Sequence, residues 1–319
     1  MNVLLKDRYK PIRIIEEGKY FRVWLACDIY MNREVAIKIY RNSFTYDIVE
    51  GVRRQCWGMK LVHPNILPTY DFNHDEEILY IVMPYCPFGS INKLAGKISE
   101  WTLWRIIKDI ASGLEHLHRQ GIMHLDIKPA NFLLDTHGHY VLSDFGLSHR
   151  VVNLIDLYNK SITIDIAGPY NREATVYMSP ENILDGRVDI NSDIWSLGLS
   201  IYELISGELP VHGSGELEQL LLFGRVMTFK CDKCSTKLSN LIDACINPSP
   251  QNRPSATEII ALADSVIARD DIIPMFDKIS DDSILKKEDS FYNTYNETSL
   301  NAMERYNVVK PTDKSIWYC

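Results

Sequence analysis

The feature that most limits what this chain can fold into is a change of hydrophobic period at about Ser99. Upstream, apolar and polar residues alternate in short runs: Ile12-Arg13-Ile14-Ile15, Val23-Trp24-Leu25-Ala26, Val35-Ala36-Ile37-Lys38-Ile39 and Ile78-Leu79-Tyr80-Ile81-Val82. A period of two gives a pleated strand one apolar face, so these runs are read as strands. Polar breaks at Asn32-Arg33 and from His74 to Glu77 suit an antiparallel meander of hairpins.

From Ser99 the spacing lengthens to three and four. Trp104, Ile107, Ala111, Leu114 and His118 line one face of an expected helix, with Ser99 as its N-cap and Gly121 as its stop. A second amphipathic run goes from about Asp193 through Leu197, Ile201 and Leu204 to Gly207 and Pro210, and a third covers about Ser255 to Ile267. The expected class is therefore α+β, with a β-rich domain over residues 1–85 and a mainly helical one over 86–269. Beyond about 270 the pattern decays into an acidic segment carrying Phe291, Tyr292, Tyr295, Tyr306, Trp317 and Tyr318. Docking onto the domain surface and disorder both stay open for this tail, 270–319.

Composition enters as a set of exclusions. A chain of 319 residues, 46% hydrophobic, can bury a sizeable core. Its formal net charge of −8 counts against a general affinity for nucleic acid or anionic membrane. Lys6, Asp7 and Arg8 interrupt the N-terminus before a leader core builds, and no apolar run is long enough to span a bilayer, so a cytoplasmic location is expected. The seven cysteines are spread thinly, which suits reduced thiols. Cys231-x-x-Cys234 has ligand spacing but no second pair nearby, and no metal site is expected there.

Chemistry concentrates in Gly121-Ile122-Met123-His124-Leu125-Asp126-Ile127-Lys128-Pro129-Ala130-Asn131, which places an acid, a base and an amide in one short turn after a helix. Phosphoryl transfer needs a carboxylate to orient the attacking hydroxyl, a cation near the moving phosphate, and oxygen ligands for Mg2+. Asp126, Lys128 and Asn131 are candidates for these roles, and Asp144 of Asp144-Phe145-Gly146 for the principal metal carboxylate.

In their order and spacing these segments resemble the eukaryotic-type (Hanks-type) serine/threonine protein kinase family over residues 9–268. The resemblance implies a bilobal fold: a small N-terminal antiparallel β lobe with one helix, and a larger, mainly α-helical C-terminal lobe. It also implies ATP and Mg2+ as cofactors and a protein as substrate. By this likeness Asp126 is the catalytic base, Lys128 marks serine or threonine acceptors, and Asn131 and Asp144 hold Mg2+. Lys38 in Val35-Ala36-Ile37-Lys38 holds the α and β phosphates, and Gly18 is the retained glycine of the phosphate loop. Met83-Pro84-Tyr85-Cys86 resembles the gatekeeper and hinge, with Val23, Ala36 and Leu133 sandwiching the base. Met178-Ser179-Pro180-Glu181 resembles the end of the activation segment, Arg253 the arginine that pairs with Glu181, and the stretch from Asp193 the helix start that braces the catalytic loop.

The chain departs from the family pattern at named positions. Glu16 and Phe21 stand where the outer two loop glycines belong, so weaker ATP binding is expected. Counting back nine positions from His63 lands on Arg54 instead of an acid; Glu50, one helical turn earlier, is the candidate partner for Lys38. Ala174 replaces an expected threonine, with Thr175 adjacent. Leu125 replaces the arginine that grips a phosphorylated activation segment, so activity is not expected to need phosphorylation at Ser161, Thr163 or Thr175. The alternative reading is a pseudokinase that keeps the fold as a nucleotide-binding or protein-interaction scaffold.

Overall fold

Five strands open the chain: β1 (Tyr9–Glu17), β2 (Phe21–Asp28), β3 (Arg33–Tyr40), β4 (Asp71–His74) and β5 (Leu79–Pro84). They belong to a computed structural model that describes residues 5–18, 21–40, 54, 59–74, 79–145, 148–150, 162–163, 176–210 and 234–270. The expected small-lobe helix carrying Glu50 lies outside the described residues, apart from Arg54.

The strands form one antiparallel sheet in the order β1-β2-β3-β5-β4. A plain meander is thus corrected: β5 lies against β3, and β4 takes the edge. Burial explains the exchange. No residue from Leu79 to Val82 is more than 3% exposed, so β5 needs a neighbour on both sides, whereas short β4 brings Asp71, Asn73 and His74 and suits an edge.

Register decides which side chains face the rest of the molecule. Val23 pairs with Lys38 and Lys38 with Ile81; Leu25 pairs with Ala36 and Ala36 with Met83. Directly opposed residues share a face, so Val23, Ala36, Lys38 and Met83 line one side of the sheet. The other side buries Tyr9, Ala26, Val35, Ile37, Tyr80 and Val82 as a separate core.

Helix α1 (Glu100–Arg119) begins as expected at Ser99, whose Oγ accepts from Thr102 N at 3.1 Å, and Gly121 follows it at φ 69°. Short strands come next: β6 (Ile122–Met123), β7 (Phe132–Leu134), β8 (Tyr140–Leu142) and β9 (His149–Arg150), with β6 pairing β9 and β7 pairing β8. Beyond them, β10 (Ile162–Thr163) pairs with β11 (Arg187–Val188), and α2 (Pro180–Asp185) lies between the two in sequence.

Helix α3 (Ile190–Ser206) starts three residues before Asp193, because Asp189 and Ser192 cap its first turn reciprocally. It ends at Gly207, whose left-handed φ of 96° closes the last turn. Ile194, Trp195, Leu197, Leu199 and Ile201 are all buried, so α3 is apolar nearly all round. Around it α1, α4 (Thr236–Cys245) and α5 (Ala256–Asp270) build the main core, with Trp104, Ile107, Ala111 and Leu114 supplied by the predicted face of α1.

Residues 1–267 make one unit and 268–319 a second, of which the described part is the end of α5. Among the described residues no helix is long and apolar enough to cross a membrane.

Candidate active site

The turn between β6 and β7 is held from below by one buried carboxylate. Asp193, fully buried in the first turn of α3, accepts from His124 N at 2.9 Å, Leu125 N at 2.7 Å and His118 Nε2 at 2.9 Å. Helix α3 adds its positive N-terminal end, so the burial cost of this carboxylate is met by three donors and a dipole. Leu125 is thereby held at φ 64°, a left-handed conformation that costs a non-glycine residue about 1–2 kcal/mol.

With the turn fixed, the candidate catalytic groups converge. Lys128 Nζ donates to Asp126 Oδ1 at 2.8 Å, and Asn131 Nδ2 donates to Asp126 Oδ2 at 2.8 Å and to the Asp126 carbonyl at 2.7 Å. The two flanking donors set the plane of the carboxylate and direct it. The Asn131 carbonyl in turn accepts from both N and Oγ of Ser143 at 3.0 Å each.

His124 joins this turn to the segment carrying Asp144. Its Nδ1 accepts from Asp126 N at 3.2 Å, which assigns the proton to Nε2, and Nε2 donates to the Ser143 carbonyl at 3.1 Å. Burial lowers the pKa of this imidazole and keeps it neutral, as that pattern of one donor and one acceptor requires.

Next to Ser143, Asp144 stands at φ 65° and takes Lys38 Nζ on Oδ2 at 2.7 Å, so the pair links the sheet to the helical part. Burial works to lower the Lys38 pKa, but Asp144 overrides it by charge and hydrogen bond and raises it. For Asp144 burial works upward, and Lys38, with Lys128 behind it, holds the carboxyl below the usual range. Both groups are therefore charged near neutral pH. Two aromatic rings also stand near Lys38: its ammonium lies 4.4 Å from the Phe21 ring centroid and 5.7 Å from that of Tyr40, and the charge of Glu16 acts on it as well.

An apolar cluster lies beside the sheet face that carries Lys38. Leu67, Cys86 and Val141 pack with Met83 and Leu133, while Val23 and Ala36 present the sheet side at 8% and 6% exposure. Burial pushes the Cys86 thiol up to about 12, so it acts here as a small apolar group. Its carbonyl accepts from Gly89 N at 3.1 Å, which turns the chain away from β5.

A family model described as the protein kinase domain matches residues 9–263. The chain belongs to the Hanks-type serine/threonine protein kinase family. Serine/threonine-protein kinase PrkC of Bacillus subtilis is 32% identical over 215 residues, covering 66% of this chain and 32% of that protein. Serine/threonine-protein kinase ppk11 of Schizosaccharomyces pombe is 30% identical over 257 residues, 79% of each chain. CBL-interacting serine/threonine-protein kinase 2 of Arabidopsis thaliana is 28% identical over 263 residues, 80% of this chain and 56% of that one. This kinase chain thus spans about a third of the bacterial relative and just over half of the plant one.

The kinase fold is tied together behind the site by a second ion pair. Arg253 donates from Nη1 and Nη2 to the two carboxylate oxygens of Glu181, both at 2.8 Å, with side-chain exposures of 0% and 12%. Arg253 also caps the carbonyls of Asn191 and Asn247, and Ser192 Oγ donates to Glu181. Burial would raise the Glu181 carboxyl; Arg253 overrides it and holds it low.

Of the residues singled out from sequence, Asp126, Lys128 and Asn131 meet in one cluster, and Lys38 and Asp144 in another. The described hydrogen bonds join the two through His124 and Ser143. Met83, Cys86 and Leu133 pack in one apolar cluster, Val23 and Ala36 lie on the sheet face they share with Met83, and Gly18 lies at the end of the β1–β2 hairpin. Gly146, Glu50, Ser161, Ala174, Thr175 and Cys231 lie outside the described residues. Sequence reasoning gave no role to His124 or Ser143, placed His118 only on the face of the first helix, and did not make Phe21 a neighbour of Lys38. His124 did carry a signal, since it follows the apolar pair Ile122-Met123 and directly precedes the turn that bears the acid. The others make contacts between segments distant in sequence, which local spacing does not encode.

Proposed function

We propose that this chain is an active Mg2+-dependent kinase that moves the γ-phosphoryl group of ATP in line onto a serine or threonine hydroxyl of a protein substrate. The observation that carries this reading is the Asp126 carboxylate held between Lys128 and Asn131 by bonds of 2.8 Å. Such a carboxylate accepts the hydrogen bond of an incoming hydroxyl, aligns its oxygen with the phosphorus and takes its proton late in transfer. Lys128, already beside it, then donates to the oxygens of the moving phosphoryl group.

Lys38 is the group for the α and β phosphates, and to engage them its ammonium shares itself between Asp144 and a phosphate oxygen. Asp144 and Asn131 suit Mg2+, since both offer hard oxygen donors and Asn131 commits its Nδ2 to Asp126, leaving Oδ1 as its acceptor end. Bound there, Mg2+ would supply positive charge against the phosphates as negative charge shifts during transfer. In this reading adenine lies among Val23, Ala36, Met83, Cys86 and Leu133, with Gly18 over the phosphates. Residues 1–85 form the small lobe in this reading, 86–269 the large lobe and 270–319 a tail. Thiols at Cys27, Cys86 and Cys245 support a reducing, cytoplasmic setting in this reading.

Leu125 has no group with which to grip a phosphate, which supports activity that does not wait for activation-segment phosphorylation. Phosphatase-treated protein is therefore expected to keep its activity. The scaffold alternative draws on Phe21 beside Lys38 and on Glu16 in the phosphate loop. Labelled ATP and Mg2+ with protein and peptide acceptors separate the two readings. Asp126→Asn and Asp144→Asn are expected to cut incorporation by about 100-fold or more; equal incorporation by wild type and both variants would leave the scaffold.

A further inference from the structure

The family pattern puts a third glycine of the phosphate loop where this chain has Phe21, and the structure shows what the larger side chain does. Gly18 N donates to the Phe21 carbonyl at 3.0 Å and closes the β1–β2 hairpin. The Phe21 ring lies directly against Gly18: a Cβ at position 18 would sit 2.7 Å from two ring carbons, so only glycine lets the ring lie there. Phe21 pairs across the sheet with Tyr40, their ring centroids 6.3 Å apart, and both rings stand near the Lys38 ammonium. Asp144 accepts a hydrogen bond from that ammonium at 2.7 Å, and the Lys38 side chain is left 9% exposed.

A phosphate oxygen has to come within about 2.9 Å of Lys38 Nζ to form a charge-assisted bond, and it brings a tetrahedral group with it. A ring centred 4.4 Å from the same nitrogen occupies part of that approach. The ring face is also a ligand in its own right, because its negative quadrupole attracts the cation, most strongly where water is excluded.

We infer that Phe21 is an internal competitor for the phosphate side of the nucleotide site: its ring caps Lys38 in a closed arrangement and swings away when a triphosphate engages the ammonium. The inference rests on the reading of Lys38 as the phosphate-binding lysine. Capping multiplies the apparent affinity for ATP by the fraction of molecules in the open arrangement. A ligand that lacks phosphates escapes this cost, because it does not need Lys38.

Calorimetric titration of the full chain tests this, using a non-hydrolysable ATP analogue with Mg2+ and, separately, adenosine. The proteins are wild type, Phe21→Leu, which keeps apolar bulk but loses the aromatic face, and Phe21→Gly. The analogue is expected to bind about tenfold more tightly to Phe21→Gly, with Phe21→Leu between, the size that follows from removing one desolvated cation–ring contact. Adenosine is expected to bind all three within about twofold, which also shows that the adenine side of the site is intact. Unchanged or weaker analogue binding by both variants, with adenosine binding retained, overturns the competitor and leaves the nucleotide site standing. Failure of all three proteins to bind either ligand overturns the nucleotide site, and the inference with it.

Discussion

Replacing Arg253 by methionine tests how much of this fold hangs on one buried ion pair. The guanidinium makes four bonds shorter than 3 Å: two to Glu181 and one each to the carbonyls of Asn191 and Asn247. Methionine fills much of the volume and makes none of them. Breaking a buried pair by removing one partner costs about 3–5 kcal/mol, mainly through the charge left behind. Glu181 keeps the Ser192 hydroxyl at 3.0 Å and is 12% exposed, so some of its charge is relieved, and about 3–4 kcal/mol is expected. That is a large part of a total stability of about 5–15 kcal/mol. In a thermal melt it corresponds to a fall of about 10 °C for a domain of this size. The double variant Arg253→Met/Glu181→Leu removes both charges and is expected to melt higher than Arg253→Met alone. A melting point for Arg253→Met within 2 °C of wild type (about 0.5–1 kcal/mol) would refute the reasoning, as would a double variant whose loss equals the sum of the two single losses.

Two further outcomes follow from particular contacts. Gly198 lies inside α3, where a Cβ would stand 2.6 Å from Cys245 Cβ and 2.9 Å from Ile246 Cγ2. Alanine there gains about 1 kcal/mol of helix propensity but overpacks the α3–α4 contact at a cost of about 1–3 kcal/mol, so Gly198→Ala should lower the urea midpoint. A raised midpoint would mean that the two helices separate freely. The acid limb of stability should also carry the signature of Glu181. Its folded pKa lies below the unfolded value of about 4.3, so its contribution is fully present above that pH and is lost as pH falls through the lower folded value. The stability gap between wild type and Glu181→Gln is therefore expected to stay constant from pH 7 to about 5 and to narrow below about pH 4. A gap that does not change down to pH 3 would assign the loss to packing instead.

Elements were legible in the sequence wherever one residue's neighbours along the chain decide its state. Ser99 and Gly121 bracket α1 because capping and left-handed closure are local events. The strand runs from Val23, Val35 and Leu79 were legible for the same reason. The position of β5 was not, because strand order depends on where a chain returns after a long excursion, and alternation of side chains says nothing about that. The start of α3 was missed by three residues, since its apolar run is readable from Asp193 while the cap at Asp189 is polar and looks like loop. Within the site, Asp126, Lys128 and Asn131 lie within six residues of one another and declare themselves. Phe21 next to Lys38 is a contact between two strands, visible only once their register is fixed.

The strained residues tie the legible part of the site to the hidden part. Leu125 and Asp144 are both left-handed and neither is glycine, so the backbone preference of each is overruled at a cost of about 1–2 kcal/mol. For Leu125 the compensation is Asp193, which reaches two consecutive N–H groups only if the chain turns as it does there. For Asp144 it is the charge-assisted bond to Lys38, whose direction depends on the same left-handed turn. A glycine at either position would relax the strain but loosen the turn by restoring backbone freedom. The strain is therefore tolerated because Asp193 and Lys38 are already in place. These two residues come from α3 and from β3, two heavily buried parts of the fold. The carboxylate at position 126 is aimed by a chain of such constraints running from the helical core through His124 and Ser143 to the sheet. Its orientation is a property of the whole fold more than of the turn that carries it.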